Sequence, residues 1–380
     1  MKISDIADII NVTEKDPSNS EMDVFVGLEH YDIAEPVIKR FGSTKMLSTA
    51  AKKFEAGDVL IARRNVYLQR ASVARFTGLT SGDSIVLRVK KNQKIEGTDY
   101  ETMCELLPFI LNSINFWDYA NTNADGTMSK RLSPAILQEY EFDLPSIDEQ
   151  KNLAEKLWAA YEVKQSYLKM IDATQEMVKS QFVEMFSNNS WKEVYLENVV
   201  SEDCSLSYGI VQPGDGVDDG IPVVRPVDLT DNIVEPDNLK RTTVDIANSY
   251  KRTTLKGGEL LLCVRGTTGL LSMASHRLKG GNVTRGIVPI WFKKNISKAF
   301  MFHLIKSDYV QNQIKKKTYG TTLLQINIKD LRKIKVILPS EDLQLKFVSI
   351  AEQADKSISE LRKSIDAIDK VIKSLINENL

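Results

Sequence analysis

The sequence predicts an α+β chain: two tandem α/β globules separated by a pair of long helices that form an antiparallel coiled coil. Three observations carry that expectation. Residues 126–186 reappear at 320–380 without a gap, with 16 identities in 61 positions. Upstream of each copy, short runs rich in β-branched residues and bounded by Gly, Ser, Asn or Asp recur in the same order, which is the pattern of strands and turns. Downstream, each copy runs into a charged stretch with apolar residues at heptad spacing.

The first globule is expected over 1–143. Its strands are VFVGLE (24–29), AGDVLIARR at the end of 52–64, and SIVLRVKKN (84–92); its helical piece is ETMCELLPFILNSI. A spacer helix follows over 144–189, entered through LPSIDEQ with Pro145 ahead of acids in the first turn, the expected chemistry of a helix start. The second globule, 190–337, repeats the features with small insertions and deletions. VVRPVD (223–228) matches VFVGLE, TLKGGELLLCVR (254–265) matches the strand ending in Arg63 and Arg64, and IVPIWFKKN (287–295) matches SIVLRVKKN. Its helical piece is SKAFMFHLIKSDYVQNQIKKK. Neither globule has the regular alternation of a doubly wound sheet, hence α+β.

The second spacer helix, 338–380, opens with LPSEDLQ. Ala351, Ile358, Ile365 and Ile372 fall at heptad position a, and Phe347, Ala354, Leu361, Ile368 and Leu375 at d. The first helix is less regular. Leu157, Ile171, Val178 and Met185 stand at a and Leu153, Ala160 and Tyr167 at d, while Lys164, Thr174 and Gln181 interrupt the seam and Trp158, Tyr161, Leu168 and Phe182 widen it. Two such helices in one chain most simply pair with each other.

Composition excludes several classes. Apolar residues make up 42% and charged residues 27%, ordinary values for a soluble globular chain, and no apolar run approaches a membrane span of about 20 residues. The amino terminus carries acids within its apolar stretch, unlike a signal peptide. Cys104, Cys204 and Cys263 are far apart and outside any metal spacing, as expected of reduced thiols in the cytoplasm. Net charge is −1 but unevenly spread: residues 1–143 carry −4 and residues 190–337 carry +7. A basic second globule suits a DNA-facing surface or, equally, a chance excess of solvated lysines.

Catalytic patterns are missing. The sequence has no phosphate-binding loop, zinc-protease helix, paired Cys/His metal spacing or nucleophile elbow, and no adenine-methyltransferase signature. His30, His276 and His303 are scattered and read as structural residues. Glu149-Gln150-Lys151 has the form of a nuclease Glu-x-Lys, but its counterpart is Leu343-Gln344-Leu345, so it too reads as structural. Neither a metal nor a cofactor is expected.

Both junctions, FDLPSIDEQKNLAEKL and VILPSEDLQLKFVSIA, together with the helix end VKSQFVEMF and the AGDVLIARR and GGELLLCVR strands, resemble the specificity subunits of type I restriction–modification systems. The resemblance extends over essentially the whole chain; Leu343, where the second junction would carry Glu, is its main departure. It implies that 1–143 and 190–337 are target recognition domains, each reading one half of a split, asymmetric double-stranded DNA target. It further implies that 144–189 and 338–380 form a spacer that sets the gap and docks two methyltransferase subunits. Restriction/translocase subunits would join that core, and the chain itself would be non-catalytic. The specificity chain of a bipartite-site type II enzyme shares these domains and is the alternative.

Candidate DNA contacts follow from the repeat. Arg63 and Arg64 end the first strand; Arg265, followed by Gly266 and Thr267, ends the second. Arginine at a matched strand end is a natural donor to bases or phosphates, the ordinary alternative being a surface ion pair. Lys130 and Arg131, and Lys315, Lys316 and Lys317, flank the repeated Gly-Thr turn and suit phosphate contact or a plain solvated face.

Overall fold

The structure, a computed structural model, describes residues 1–91, 96–187 and 191–380. Asn92, the last residue of the first SIVLRVKKN run, and the expected boundary at 189/190 lie outside the described residues. The chain divides into two compact units, Met1–Lys169 with Glu360–Leu380, and Met170–Ser359.

In the first unit Val59–Ala62 is the centre of a four-stranded sheet ordered Ala7–Ile10, Ser84–Val89, Val59–Ala62, Ala71–Val73, with antiparallel neighbours. All four residues of the central strand are buried. Val59 and Ile61 pack with the helices, while Leu60 and Ala62 face a second apolar layer with Val26, Phe54 and Val86. Burial on both faces is why this strand reads as a continuous apolar run and not as an alternation. A second sheet of five short strands contains the parallel pair Phe25↔Leu79 and Val26↔Thr80.

The second unit repeats this plan in the same register. Leu260–Cys263 pairs with Ile287–Ile290 and Leu271–Ala274 as Val59–Ala62 pairs with Ser84–Val89 and Ala71–Val73: Cys263 faces Ile287 as Ala62 faces Ser84. Its alternate residues also divide between two layers, Leu260 and Leu262 on one side and Leu261 and Cys263 on the other. The acid of each Gly-acid step ahead of the strand is buried. Asp58 accepts from the Glu55 amide at 2.7 Å, and Glu259 accepts from the Gly257 amide at 3.0 Å and also from that of Lys256. The acid recurs because it caps the turn feeding the central strand.

Two expectations need correction. The helical piece of the second globule breaks at Ser307 into Lys298–Lys306 and Asp308–Lys317. Ser307 is extended (φ −66°, ψ 153°), and its amide still closes the preceding turn on His303 at 2.9 Å. The first globule likewise has two helices, Tyr100–Ile110 and Ile114–Asn123, the second started by the Ser113 hydroxyl, which accepts from the Phe116 amide at 3.1 Å. On the first long helix Leu168, expected to widen the apolar face, is exposed, whereas Trp158 is half-buried and Tyr161 and Phe182 are buried.

The long helices run Ile147–Phe186 and Glu341–Asn379. In the first unit the start of the first helix meets the end of the second: Leu153, Ala154, Leu157 and Tyr161 share a core with Ile372, Leu375 and Ile376, and Lys164 pairs with Asp369 at 2.6 Å. In the second unit the end of the first meets the start of the second, where Phe182 and Phe186 pack on Phe347 with ring centroids 5.2 and 5.6 Å apart. The pairing is therefore antiparallel in both. Residues at a and d of the second helix, from Phe347 to Leu375, are buried or half-buried, as a coiled-coil seam requires.

The repeated LPS…Q junction has one structural cause. Gln150 and Gln344 are buried, and each side-chain amide donates to the carbonyl of the proline five residues earlier, at 2.8 Å to Pro145 and 2.9 Å to Pro339. Gln150 also donates to Gly97 O at 2.7 Å and accepts from Thr98 Oγ1 at 2.7 Å. Glu149 accepts from the Ser146 amide at 3.0 Å and hydroxyl at 2.6 Å, so its side chain reaches back to the residue ahead of the helix start. The carboxylate of the Glu-x-Lys form is thus committed to capping.

Candidate nucleic-acid interface

Each central strand runs out into a hairpin that the sequence repeat encodes. In the first unit Asp125 and Arg131 exchange backbone hydrogen bonds of 2.8 and 3.0 Å, and the Leu132 amide donates to Arg63 O at 2.9 Å. In the second, Tyr319 and Gln325 exchange bonds of 2.9 Å, and the Ile326 amide donates to Val264 O at 3.0 Å. Gly126 and Gly320 open these hairpins at φ +92° and +110°, in the left-handed region that glycine enters most easily. A side chain at Gly320 would also meet Leu323 O at 2.3 Å, which explains why the Gly-Thr turn is written twice.

This register settles which arginines correspond. Arg64 bridges Arg131, and Arg265 bridges Gln325, so Arg64 is the counterpart of Arg265, and Arg63 that of Val264. Arg63 is half-buried, and its Nε is shielded from solvent without a hydrogen-bond partner among the described residues. Arg64 and Arg131 are brought together by Asp83: Arg64 Nε lies 3.1 Å from Oδ2 and Arg131 Nη2 2.6 Å from Oδ1. Lys130 turns away from that group and donates its ammonium to Asn121 O.

The second unit differs in the side chains, not the backbone. No acid among the described residues pairs with Arg265, which is half-buried, and Thr267 beside it is exposed. Lys315, Lys316 and Lys317 form the last turn of Asp308–Lys317 without an ion pair among the described residues. Their positive charges suit the carbonyl end of the helix dipole. The hydroxyls of Thr318 and Thr268, 3.1 Å apart, tie that helix end to the Arg265 loop. Leu323 and Leu324 are exposed at the hairpin tip.

The sequence reading missed two groups here. Asp83 lies in the turn before Ser84–Val89, and its structural equivalent is Gly286: Arg63 N donates to Asp83 O at 3.0 Å as Val264 N donates to Gly286 O at 2.8 Å. Tyr208, Tyr250, Lys251 and Arg252 line a cleft of about 490 Å³, with the Arg285 guanidinium 6.0 Å from the centre of the Tyr208 ring. The three histidines have structural surroundings. His30 Nδ1 accepts from the Gly27 amide at 2.9 Å, His276 starts a short turn, and His303 packs on Phe347 at 5.2 Å. No cluster of three or more potential metal ligands and no helix long and apolar enough to cross a membrane occurs among the described residues. The three cysteines are unpaired.

Comparison with known proteins agrees with this picture. Residues 215–370 match the family described as the type I restriction modification DNA specificity domain. The type I restriction enzyme EcoBI specificity subunit of Escherichia coli is 25% identical over 310 residues, 71% of this chain and 62% of that protein. The type I restriction enzyme MjaVIII specificity subunit of Methanocaldococcus jannaschii is 20% identical over 291 residues, 68% of this chain and 65% of that protein. The chain thus spans a little under two thirds of the length of the curated relatives it matches. Two solved structures share the fold. A chain from work on complex assembly and conformational transition of the type I R-M system gives a TM-score of 0.58 at 16% identity, covering 100% of this chain and 97% of that one. The S subunit of a type I restriction–modification system from M. genitalium gives 0.51 at 14% identity, covering 100% and 95%. Residues 215–370 thus carry the match to the type I restriction modification DNA specificity domain, and the chain, with its duplicated strand-and-hairpin units, is similar over about 70% of its length to type I restriction enzyme specificity subunits.

Proposed function

We propose that this chain is the DNA-reading, non-catalytic specificity subunit of a type I restriction–modification complex. Residues 1–143 and 190–337 are the two target recognition domains; 144–189 and 338–380 are the arms of the spacer. The observation that carries the proposal is the duplication of one arrangement, an arginine at the end of a buried central strand braced by a hairpin, at Arg64 and at Arg265. A protein that reads a target in two parts needs one such element twice. The side chains around the two arginines differ, so the two halves of the target differ and need not form a palindrome. The long helices fix the separation of the readers and offer the surface for two methyltransferase subunits, and the restriction/translocase subunits join that assembly. Chemistry on the DNA belongs to those partners.

The test is methylation sequencing of cells that express this chain with its methyltransferase. We predict a two-part motif with a constant gap. An uninterrupted motif, or methylation by the purified chain alone, would contradict the proposal.

A further inference from the structure

We infer that Asp83 is a positioning residue: it holds Arg64 as a preorganised reader of a guanine in the first half of the target, and the second reader has no counterpart to it. The inference rests on the DNA-reading function proposed above.

Asp83 is itself fixed. Its amide donates to Ser81 Oγ at 3.2 Å, the Ser84 amide closes the same turn on Ser81 O at 2.9 Å, and Asp83 O accepts from the Arg63 amide. The carboxylate is 25% exposed while the Arg64 side chain is 52% exposed, so the contact anchors one end of the arginine and leaves the other in solvent. The anchored atom is Nε. Nε is the guanidinium atom nearest the carboxylate, and neither terminal amino group of Arg64 makes a hydrogen bond among the described residues. Guanine presents O6 and N7 in the major groove at the spacing of such a fork, the commonest specific contact between a protein and a base. Two guanidinium groups share one carboxylate, so the group keeps a net positive charge toward DNA.

An unbraced arginine must lose rotamer freedom when it binds; one already held through Nε has lost most of it beforehand. The second unit supplies the internal comparison. Gly286 stands where Asp83 stands and Gln325 where Arg131 stands, so among the described residues no acid braces Arg265 and no second arginine stands across from it. The chain therefore combines a rigid reader with an adaptable one, Arg265 acting with Thr267 and the Lys315, Lys316 and Lys317 turn beside it.

The experiment uses the complete complex with its methyltransferase, and its own bipartite motif altered one base pair at a time. D83A is expected to lower discrimination at one G·C pair of the first half-site by about 10-fold, the lower range for loss of a bidentate base contact. The second half-site and the affinity for unrelated DNA should stay unchanged. R64A should relax the same base pair, and D83E should restore discrimination in part, which a merely misfolded domain would not. Unchanged discrimination in D83A overturns the inference, as does tighter binding of D83A to all DNA with discrimination intact, which would make Asp83 an electrostatic brake. If R64A and R265A both leave every base pair equally discriminated while the complex still modifies a two-part motif, the interface is misplaced but the DNA-reading function stands. If no two-part motif is modified at all, that function falls first.

Discussion

Gln150 and Gln344 show how little of a residue's work is visible in its letter. Both recur at the same place in the repeat, and self-comparison finds them at once. Their task, donating to the carbonyl of the proline that precedes the helix, needs the fold to be seen. Gln150 makes two further hydrogen bonds in full burial that Gln344 does not. We predict that Q150A costs about 2–3 kcal/mol and Q344A about 1 kcal/mol, because a lost buried hydrogen bond costs most where its partners stay dry. Denaturant unfolding of the two variants would check the order; equal losses would contradict it. Asp83 escaped the sequence reading for the opposite reason. A comparison of the copies points to what they share, and Asp83 is a difference, replaced by Gly286. Arg64 and Arg265 were recognised as candidates, but their one-to-one match was not, since the repeat slips by several residues upstream of the hairpin and only strand register restores it.

At the scale of elements, the central strands and long helices were legible because each signal is continuous: an apolar run between turn residues, and a heptad seam held over four repeats. The helix pairs of each globule were not. Ser113 and Ser307 begin new helices inside stretches whose apolar pattern barely pauses, Ser113 by capping and Ser307 by its extended backbone, and a single serine is a weaker signal than a run of hydrophobics. The globules also root the long helices. In the first unit Tyr161 donates to Glu35 Oε1 at 2.5 Å and Trp158 Nε1 to Glu105 O at 3.1 Å. In the second, His303 packs on Phe347, and burial, with the Lys306 charge nearby, pushes its imidazole down to about 4. A histidine depressed in the folded state stabilises the fold fully above its unfolded value near 6.5, and that stability is lost as pH falls toward 4. We predict a loss of up to about 3 kcal/mol in the second unit across this window, from a shift of that size at about 1.36 kcal/mol per pH unit. Burial also raises the carboxyl of Asp355 on the second long helix, which works in the opposite sense. Comparing H303Q with the parent chain at pH 7 and pH 4.5 isolates the histidine: the variant should lose less on acidification, and an equal loss would show that His303 is not responsible.

For the whole molecule, duplication explains more than any single motif. One globule with its helix, written twice, supplies the two proposed readers, and within each unit the start of one long helix meets the end of the other. Sequence made the duplication plain because 16 identities fall in register over 61 positions; it left the two halves' separate chemistries undecided, because those lie in residues such as Asp83 and Gly286 that do not repeat. The net charges of −4 and +7 on the two globules fit the same division, with Arg64 and Arg131 sharing Asp83 in the first and Arg265 without an acid partner among the described residues in the second. If the long helices act as a ruler between the two proposed readers, their length sets the gap in the target. Four residues inserted at matched positions of both long helices would lengthen it by about 6 Å at about 1.5 Å per residue, close to two base-pair steps. Methylation sequencing with that variant is the most direct test. Both half-motifs should persist while the gap between them widens; an unchanged gap with both half-motifs intact would contradict the ruler.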